Sequence, residues 1–367
     1  MNRMILANLV HRPMRSLISI VAIAVEVTLI LLVVGLSLGM LNDSKTRQQG
    51  IGADLMVQPP GSSFLQGITG APAPIKVADM LRQLPHVKVV APVITQITTS
   101  GAVEVVYGID LNSFQQLGGP FKFLSGGPFQ NANDAIVDDV YASGKNIKVG
   151  STIEVLNNPF LVSGIVEHGK GARKFLPLGT LQNLIGAQGK ASIFYIKLDD
   201  PANTALVSQE IRGIPGMQSY VVRSMQEYLS MMTPGNLPGL SQFITVVIAV
   251  AVIIGFIVIF QAMYTAVMER TREIGILKSM GASKLYIMNV VLRETLLLSV
   301  AGTLLGIALS FIARSGIATR FPTLPIQIDP RWISYAVAIA IVGAILGALY
   351  PAFKAAQKDP IEALAYE

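Results

Sequence analysis

The run "FITVVIAVAVIIGFIVIFQAMYTAVM", Phe243–Met268, stops abruptly at "ERTREIGILKSMGAS", Glu269–Ser283. A bilayer core takes about 20 apolar residues per helix, and the first stretch supplies that length before the charges begin. Of the 367 residues 51% are hydrophobic and 14% charged, so the composition argues for a membrane protein.

Working outward, three further stretches have the same character. The predicted spans are 17–40, 241–268, 285–313 and 332–351, leaving about 200 residues of ordinary soluble composition between the first and second. The expected architecture is a membrane protein with four transmembrane α-helices in a one-plus-three arrangement, and a large α+β extracytoplasmic domain at 41–240. Around these lie an N-terminal segment 1–16, a connection 269–284, a short loop 314–331 and a tail 352–367. The first apolar run is too long for a removable leader and reads as a retained anchor. Cysteine is absent, which excludes disulfides and thiolate metal sites.

Orientation follows from Lys and Arg near the helix ends. Arg3, Arg12 and Arg15 precede the first span, Arg270, Arg272, Lys278, Lys284 and Arg293 lie between the second and third, and Lys354 and Lys358 follow the fourth. Arg314, Arg320 and Arg331 oppose them and are fewer. Both termini are therefore expected in the cytoplasm and the large domain outside. The net charge of +6 suits an anionic lipid surface, and no nucleic-acid partner is needed. The N-terminal "MNRMILANLVHRPMRS" has the mixed apolar and basic pattern of an interfacial amphipathic segment.

In the domain, "GADLMVQPPG", "KVVAPVITQITTS", "AVEVVYGID", "STIEVLNNPFLVSGIVE" and "SIFYIKLDD" read as strands. "VADMLRQL", "ANTALVSQEIRGI" and "LPLGTLQNLIG" read as helices between them, giving a mixed α+β domain. "PGSSFLQGITGAPAP" and "MMTPGNLPG" read as connectors near the membrane.

Chemistry is hard to find in this domain. His86 and His168 stand without a clustered carboxylate in sequence and read as surface residues. Asp138 and Asp139 are adjacent, so in a strand they would point apart, and a turn or helix start explains them. There is no nucleophile elbow, and "GAQGKAS" has a Gly-Lys pair without phosphate-loop spacing. No catalytic, metal or cofactor site is expected, and any ATP and Mg would be held by another chain.

Inside the first span stands Glu26, which is costly in hydrocarbon and should face protein or water. It reads equally as part of a translocation route and as a structural helix contact. Gly35/Gly39, Gly302/Gly306 and Gly343/Gly347 have the spacing that lets helices approach closely.

The charged stretch reads as a short helix with Glu269, Arg270, Arg272 and Glu273 at its start, stopped by Gly281, with Ser283 capping the next. From its residues alone it is either a docking surface or a solvated helix end.

"MERTREIGILKSMGASKLYIMNVVLRETLLLSVAGTLLGI", Met268–Ile307, resembles the signature region of the FtsX/MacB-type (type VII) ABC transporter permeases, and "YPAFKAAQKDPIEALAYE", Tyr350–Glu367, resembles that family's C-terminal signature. The likeness implies two permease copies working with two separate cytoplasmic ATPase subunits, in a bacterial inner membrane. It makes 269–284 the coupling helix, with Glu269, Arg270, Arg272, Glu273, Gly275 and Lys278 as the docking residues and Gly281 shaping the exit. Pro351, Asp359, Pro360 and Glu362 would form a supporting cytoplasmic motif. It also implies that the long first and second helices pass motion to the outer domain as a lever. Without a fused nucleotide-binding domain the sequence is closer to the stand-alone permeases, some of which work with a periplasmic adaptor and an outer-membrane channel. The leading expectation is an exporter of an amphipathic or hydrophobic substrate. The alternative is a non-transporting scaffold that activates a cell-wall hydrolase, and a membrane-anchored enzyme ranks last.

Overall fold

The computed structural model describes residues 13–62, 71–98, 104–237 and 239–358. They form two compact units: 13–39, 239–319 and 326–358 in the first, and 40–237 with 320–325 in the second.

The first element among the described residues is helix α1, Pro13–Gln49. The second unit then runs β1 (Leu55–Gln58), β2 (Ala73–Pro74), α2 (Val77–Arg82), β3 (Val87–Thr98), β4 (Glu104–Ile109), α3 (Leu111–Gly118) and β5 (Phe123–Gly126). It continues with β6 (Asp134–Asp138), α4 (Asp139–Lys145), β7 (Thr152–Val155), β8 (Asn158–Val166), β9 (Lys174–Pro177) and α5 (Leu178–Leu184). Last come β10 (Lys190–Ala191), β11 (Ile193–Leu198), α6 (Thr204–Gly213), β12 (Val221–Ser224) and α7 (Met225–Met231). The membrane unit is completed by α8 (Leu240–Glu269), α9 (Thr271–Ser279), α10 (Lys284–Arg320) and α11 (Pro330–Gln357).

Among the described residues ten strands make one sheet in the order β12-β1-β11-β3-β4-β9-β6-β8-β5, with β7 on β8. The β4–β9 and β6–β8 pairs are parallel and the rest antiparallel, so the sheet is mixed. Alternation sorts the side chains: Leu55 and Val57 join one apolar cluster, and Met56 between them joins another. Helices cover both faces. Phe114 of α3 and Tyr228 of α7 pack with Met56, Tyr107 and Tyr195, whereas Leu81 of α2 and Val207 of α6 pack with Phe194 and Ile196. This is the expected α+β organisation.

Among the described residues four helices, α1, α8, α10 and α11, are long and apolar enough to cross a membrane, one before the sheet domain and three after it. Their core is built from Ile23, Val27 and Ile30 of α1, Ile259 and Met263 of α8, Leu298 of α10, and Ala336, Ala340, Ala344 and Ala348 of α11. The four alanines repeat at one-turn spacing, so α11 presents a smooth stripe. At Gly347 an added Cβ would stand 3.0 Å from the Phe256 carbonyl of α8. Gly302 and Gly306 of α10 do the same against α1, where an added Cβ would stand 2.7 Å from Ile23 Cβ and from the Ala24 oxygen. The small-residue spacing at these positions thus serves contacts within one chain, while Gly343 faces open space.

Helix ends differ from the apolar runs. α1 continues nine residues past Met40 through the polar "LNDSKTRQQ", helped by the i,i+4 ion pair of Asp43 with Arg47 at 3.0 Å. α10 extends to Arg320, α11 begins at Pro330 behind the capping Asp329, and Pro351 lies buried inside α11. Hydropathy marks what enters the bilayer; backbone hydrogen bonding stops only where glycine, proline or a cap stops it.

Candidate functional site

The turn from α8 to α10 is built by local rules. Arg270 leaves helical geometry at φ −106°, ψ 17°, and α9 begins with the buried Thr271, whose Oγ1 donates to the Met268 carbonyl at 2.8 Å. Glu273 in its first turn and Lys278 in its last complement the helix dipole. At the far end the Gly281 N–H donates to Lys278 O and the Ala282 N–H to Leu277 O, both at 3.0 Å. With Gly281 at φ +95° this is a Schellman stop, which needs a residue free of the Cβ penalty. Ser283 Oγ then accepts from the Tyr286 N–H at 3.2 Å and starts α10.

The residues expected to form one surface are divided by this geometry. Arg272 and Glu273 are exposed, as are Ile276, Met280 and Leu285 beside them. Arg270 instead turns inward, its Nη1 3.0 Å from Glu294 Oε2 of α10, with the two side chains 12% and 5% exposed. Lys278 Nζ donates to the carbonyls of Ala356, at 2.9 Å, and Lys358 at the C-terminal end of α11. Those carbonyls are the acceptors that a helix end leaves without backbone partners. Gly275 is buried, next to Ile274, which clusters with Val267, Ile287 and Ala355. Glu269 lies exposed at the end of α8. Two of the cations named from sequence thus tie α9 to α10 and α11, and the outward face is more apolar than expected. Glu294 was overlooked; its signal is an acidic residue just inside an apolar run, the same signal that marked Glu26. Asp359, Pro360 and Glu362 lie outside the described residues.

Glu26 is buried in the membrane unit and packs on the backbone of α8, where a Cβ at Gly255 would fall 2.0 Å from its Oε2. Its Oε1 has no hydrogen-bond partner among the described residues. Nearby on α1, Thr28 Oγ1 donates to the Gly306 carbonyl at 3.0 Å.

In the second unit, the last turns of α1 are clamped to the sheet. Gln48 Nε2 donates to the Tyr107 hydroxyl at 3.2 Å, the Tyr195 hydroxyl donates to Gln48 Oε1 at 3.3 Å, and the two hydroxyls stand 3.3 Å apart. This buried ring of polar atoms joins α1 to β4 and β11. Around it the Gly171 N–H donates to Arg47 O at 2.7 Å, and Arg47 Nη1 returns a bond to Gly171 O at 3.1 Å. Arg173 bridges Asp43 of α1, at 3.0 Å, and Asp138 at the end of β6, at 3.3 Å. Asp138 also caps α4, accepting from the Tyr141 N–H at 2.7 Å. Burial pushes its carboxyl up to about 6, against the opposing pull of Arg173 and of that N–H.

The two histidines do have carboxylates beside them, which corrects the reading that they stand apart. His86 Nδ1 is 3.0 Å from Asp199 and His168 Nδ1 is 3.0 Å from Asp139, partners too distant in sequence to be seen there. Both pairs are solvent-exposed. Among the described residues no group of three or more His, Cys, Asp or Glu side chains is placed to hold a metal ion.

Comparison with known proteins matches residues 16–214 to the MacB-like periplasmic core domain and residues 245–360 to the FtsX-like permease C-terminal domain. The macrolide export ATP-binding/permease protein MacB of Shewanella sp. (strain W3-18-1) is 25% identical over 394 aligned residues, covering 99% of this chain and 60% of that protein. Its counterpart in Escherichia coli (strain K12) is 28% identical over 230 residues, covering 60% of this chain and 35% of that protein. The chain therefore spans less than two thirds of the length of these relatives. Among solved structures, the periplasmic region of MacB from Actinobacillus actinomycetemcomitans aligns at 18% identity and a TM-score of 0.38, over 48% of this chain and 92% of that one. The extracellular domain of the noncanonic ABC-type transporter YknZ from Gram-positive bacteria aligns at 14% and 0.36, over 47% and 98%. One family model covers α1 with most of the sheet domain and the other covers the three later membrane helices, in the order the fold displays. The chain belongs to the MacB/FtsX-like family of ABC transporter permeases, multi-pass membrane proteins with a large periplasmic domain between their first and second spans.

Proposed function

We propose that this chain is the permease subunit of an ATP-driven exporter of an amphipathic or hydrophobic substrate, located in a bacterial inner membrane with both termini cytoplasmic. Two copies pair with two copies of a separate cytoplasmic ATPase, which binds ATP and Mg. A periplasmic adaptor and an outer-membrane channel are the further partners expected of such an exporter. The observation that carries this reading is the anchoring of α9. Its outward face offers Arg272, Glu273, Ile276 and Met280, while Arg270 and Lys278 bind it to α10 and α11. A push delivered by a docked ATPase is then received by the membrane bundle instead of bending a loose loop. The combination of exposed apolar groups with an arginine suits a docking hot spot.

The α1 helix is the route by which that motion reaches the periplasmic domain, since it is unbroken from Pro13 to Gln49 and is held at its end by the Gln48–Tyr107–Tyr195 ring. The connection before α8 differs: α7 ends at Met231 and α8 starts at Leu240 behind Gly239 at φ +80°. The first helix therefore serves as the rigid arm and the second as the hinged one.

The test is recovery of the ATPase with the affinity-purified protein from native membranes. Arg272→Glu combined with Ile276→Asp is expected to reduce that recovery by about tenfold or more, equivalent to about 1.4 kcal/mol of docking energy. Membrane insertion and thermal stability should stay at the wild-type level, because both side chains are exposed. Full recovery of ATPase with the double variant would refute the docking face.

A further inference from the structure

A cavity of about 300 Å³ opens in the second unit between the last turns of α1, the start of β4 and the link that follows α10. This is the lower end of the size range of small-molecule sites. One wall is charged, formed by Asp43, Arg47, Glu104 and Arg173; the other is apolar and includes Met40 and Leu324, which are 51% and 36% exposed. The charged wall is balanced. Asp43 meets both Arg47 and Arg173 at 3.0 Å, Arg173 also meets Asp138, and Glu104 meets Lys174, which lies over the Tyr141 ring. Three cations thus face three carboxylates, and a ligand with net charge would leave one of them without compensation. Each guanidinium has five N–H donors in a fork suited to phosphate oxygens, more than the two side-chain bonds named for each.

The place of the cavity along the chain supplies the second half of the argument. Met40 ends the apolar run of α1, and Leu324 lies in the link between α10 and α11, so both mark the boundary where spans emerge on the periplasmic side. An apolar wall at that depth meets glycerol and acyl chain, and a charged wall beyond it meets a head group.

We propose that this cavity holds the head group of a zwitterionic phospholipid with a primary ammonium, a phosphatidylethanolamine. Its phosphate faces Arg47 and Arg173, its ammonium faces Asp43 and Glu104, and its glycerol end rests on Met40 and Leu324. A phosphatidylcholine fits poorly, because a quaternary ammonium has no N–H to donate to carboxylates, and among the described residues no aromatic ring lines the cavity to receive it by cation–π contact. An anionic phosphatidylglycerol satisfies the arginines and leaves the carboxylates without a counter-charge. The site goes beyond the export reading and stands whether or not α9 docks an ATPase.

The experiment is native mass spectrometry of the full chain in mild detergent, titrated separately with phosphatidylethanolamine, phosphatidylcholine and phosphatidylglycerol. Val105→Phe fills the cavity without altering its charges, and Leu324→Glu places a carboxylate on the apolar wall at an exposed link position that folding tolerates. The wild-type chain is expected to retain one phosphatidylethanolamine more than either variant, with affinity falling about tenfold or more in both. The other two lipids should be retained equally by all three proteins. Equal phosphatidylethanolamine retention in wild type and Leu324→Glu overturns the site, and phosphatidylglycerol or phosphatidylcholine retained as tightly as phosphatidylethanolamine overturns the assigned head group. Since ATPase recovery is measured separately, loss of this site and loss of the docking reading are told apart.

Discussion

Replacing Glu294 with Ala is expected to destabilise the detergent-solubilised protein by up to about 3–5 kcal/mol, the cost of breaking a buried ion pair from one side. Arg270 is the group that loses this contact: it is 12% exposed, its Nη1 is 3.0 Å from Glu294, and it occupies the break between α8 and α9. The reverse change, Arg270→Ala, leaves Glu294 buried at the start of an apolar helix and should cost a similar amount. The double variant Arg270→Met with Glu294→Leu removes both charges and keeps the volume, so it should regain most of the stability. Thermal unfolding of the three proteins is the measurement. If Glu294→Ala unfolds at the wild-type temperature, the pair does not hold α9 to α10.

The second large effect is expected at Gly50, just past the end of α1. A Cβ there would lie 1.8 Å from the Gly169 carbonyl oxygen, a backbone atom that cannot rotate away. Gly50→Ala must therefore displace either the end of α1 or the 169–171 turn, which Arg47 holds through both of its bonds to Gly171. Overpacking of this kind costs about 1–3 kcal/mol and sometimes more. The variant should show lower thermal stability and faster amide exchange at Gln48, Tyr107 and Tyr195, whose ring depends on that fit. Gly213→Ala is the control: it lies in the last turn of α6 with nothing within 4 Å of an added Cβ, and should be neutral or slightly stabilising. Equal behaviour of the two alanines would mean that the α1 end is not fixed in place.

Much of this protein can be read from its residues, and the boundary of legibility is physical. Membrane spans were plain because about 20 apolar residues in sequence need no tertiary information. Gly281 and Ser283 were equally plain, since caps are local. In the sheet domain the β-branched stretches reveal β1, β3, β4, β7, β8 and β11, whereas β6, β9 and β12 go unread; β1 and β7 are no longer than these, so it is the Pro-Pro-Gly and Asn-Asn turns beside them that make them legible. Helices outrun the apolar spans wherever a polar stretch stays helical, as at Leu41–Gln49, and hydropathy carries no signal for that extension. The hidden part of the candidate site consists of long-range pairs. Arg173 meets Asp43 from 130 residues away, Lys278 meets Ala356 from 78 away, and Arg270 meets Glu294 across the α9 turn. The direction a charged side chain takes at a membrane boundary depends on which helix passes beside it, and one sequence does not record that. Hence Arg270 and Lys278 read as docking residues, although their bonds run inward.

In the proposed mechanism α1 carries motion from the ATPase side to the periplasmic domain as one rigid arm. Its most direct test uses the absence of native cysteine. A spin label is attached to a single cysteine at the exposed Lys88 of β3, and the distance between the two permease copies is measured in membranes with the ATPase, with and without a non-hydrolysable ATP analogue. The same measurement is repeated after two glycines are inserted between Leu41 and Asn42. A nucleotide-dependent change in distance that the insertion abolishes, with ATPase recovery unchanged, is the expected result; a change of the same size in both proteins would refute the rigid arm.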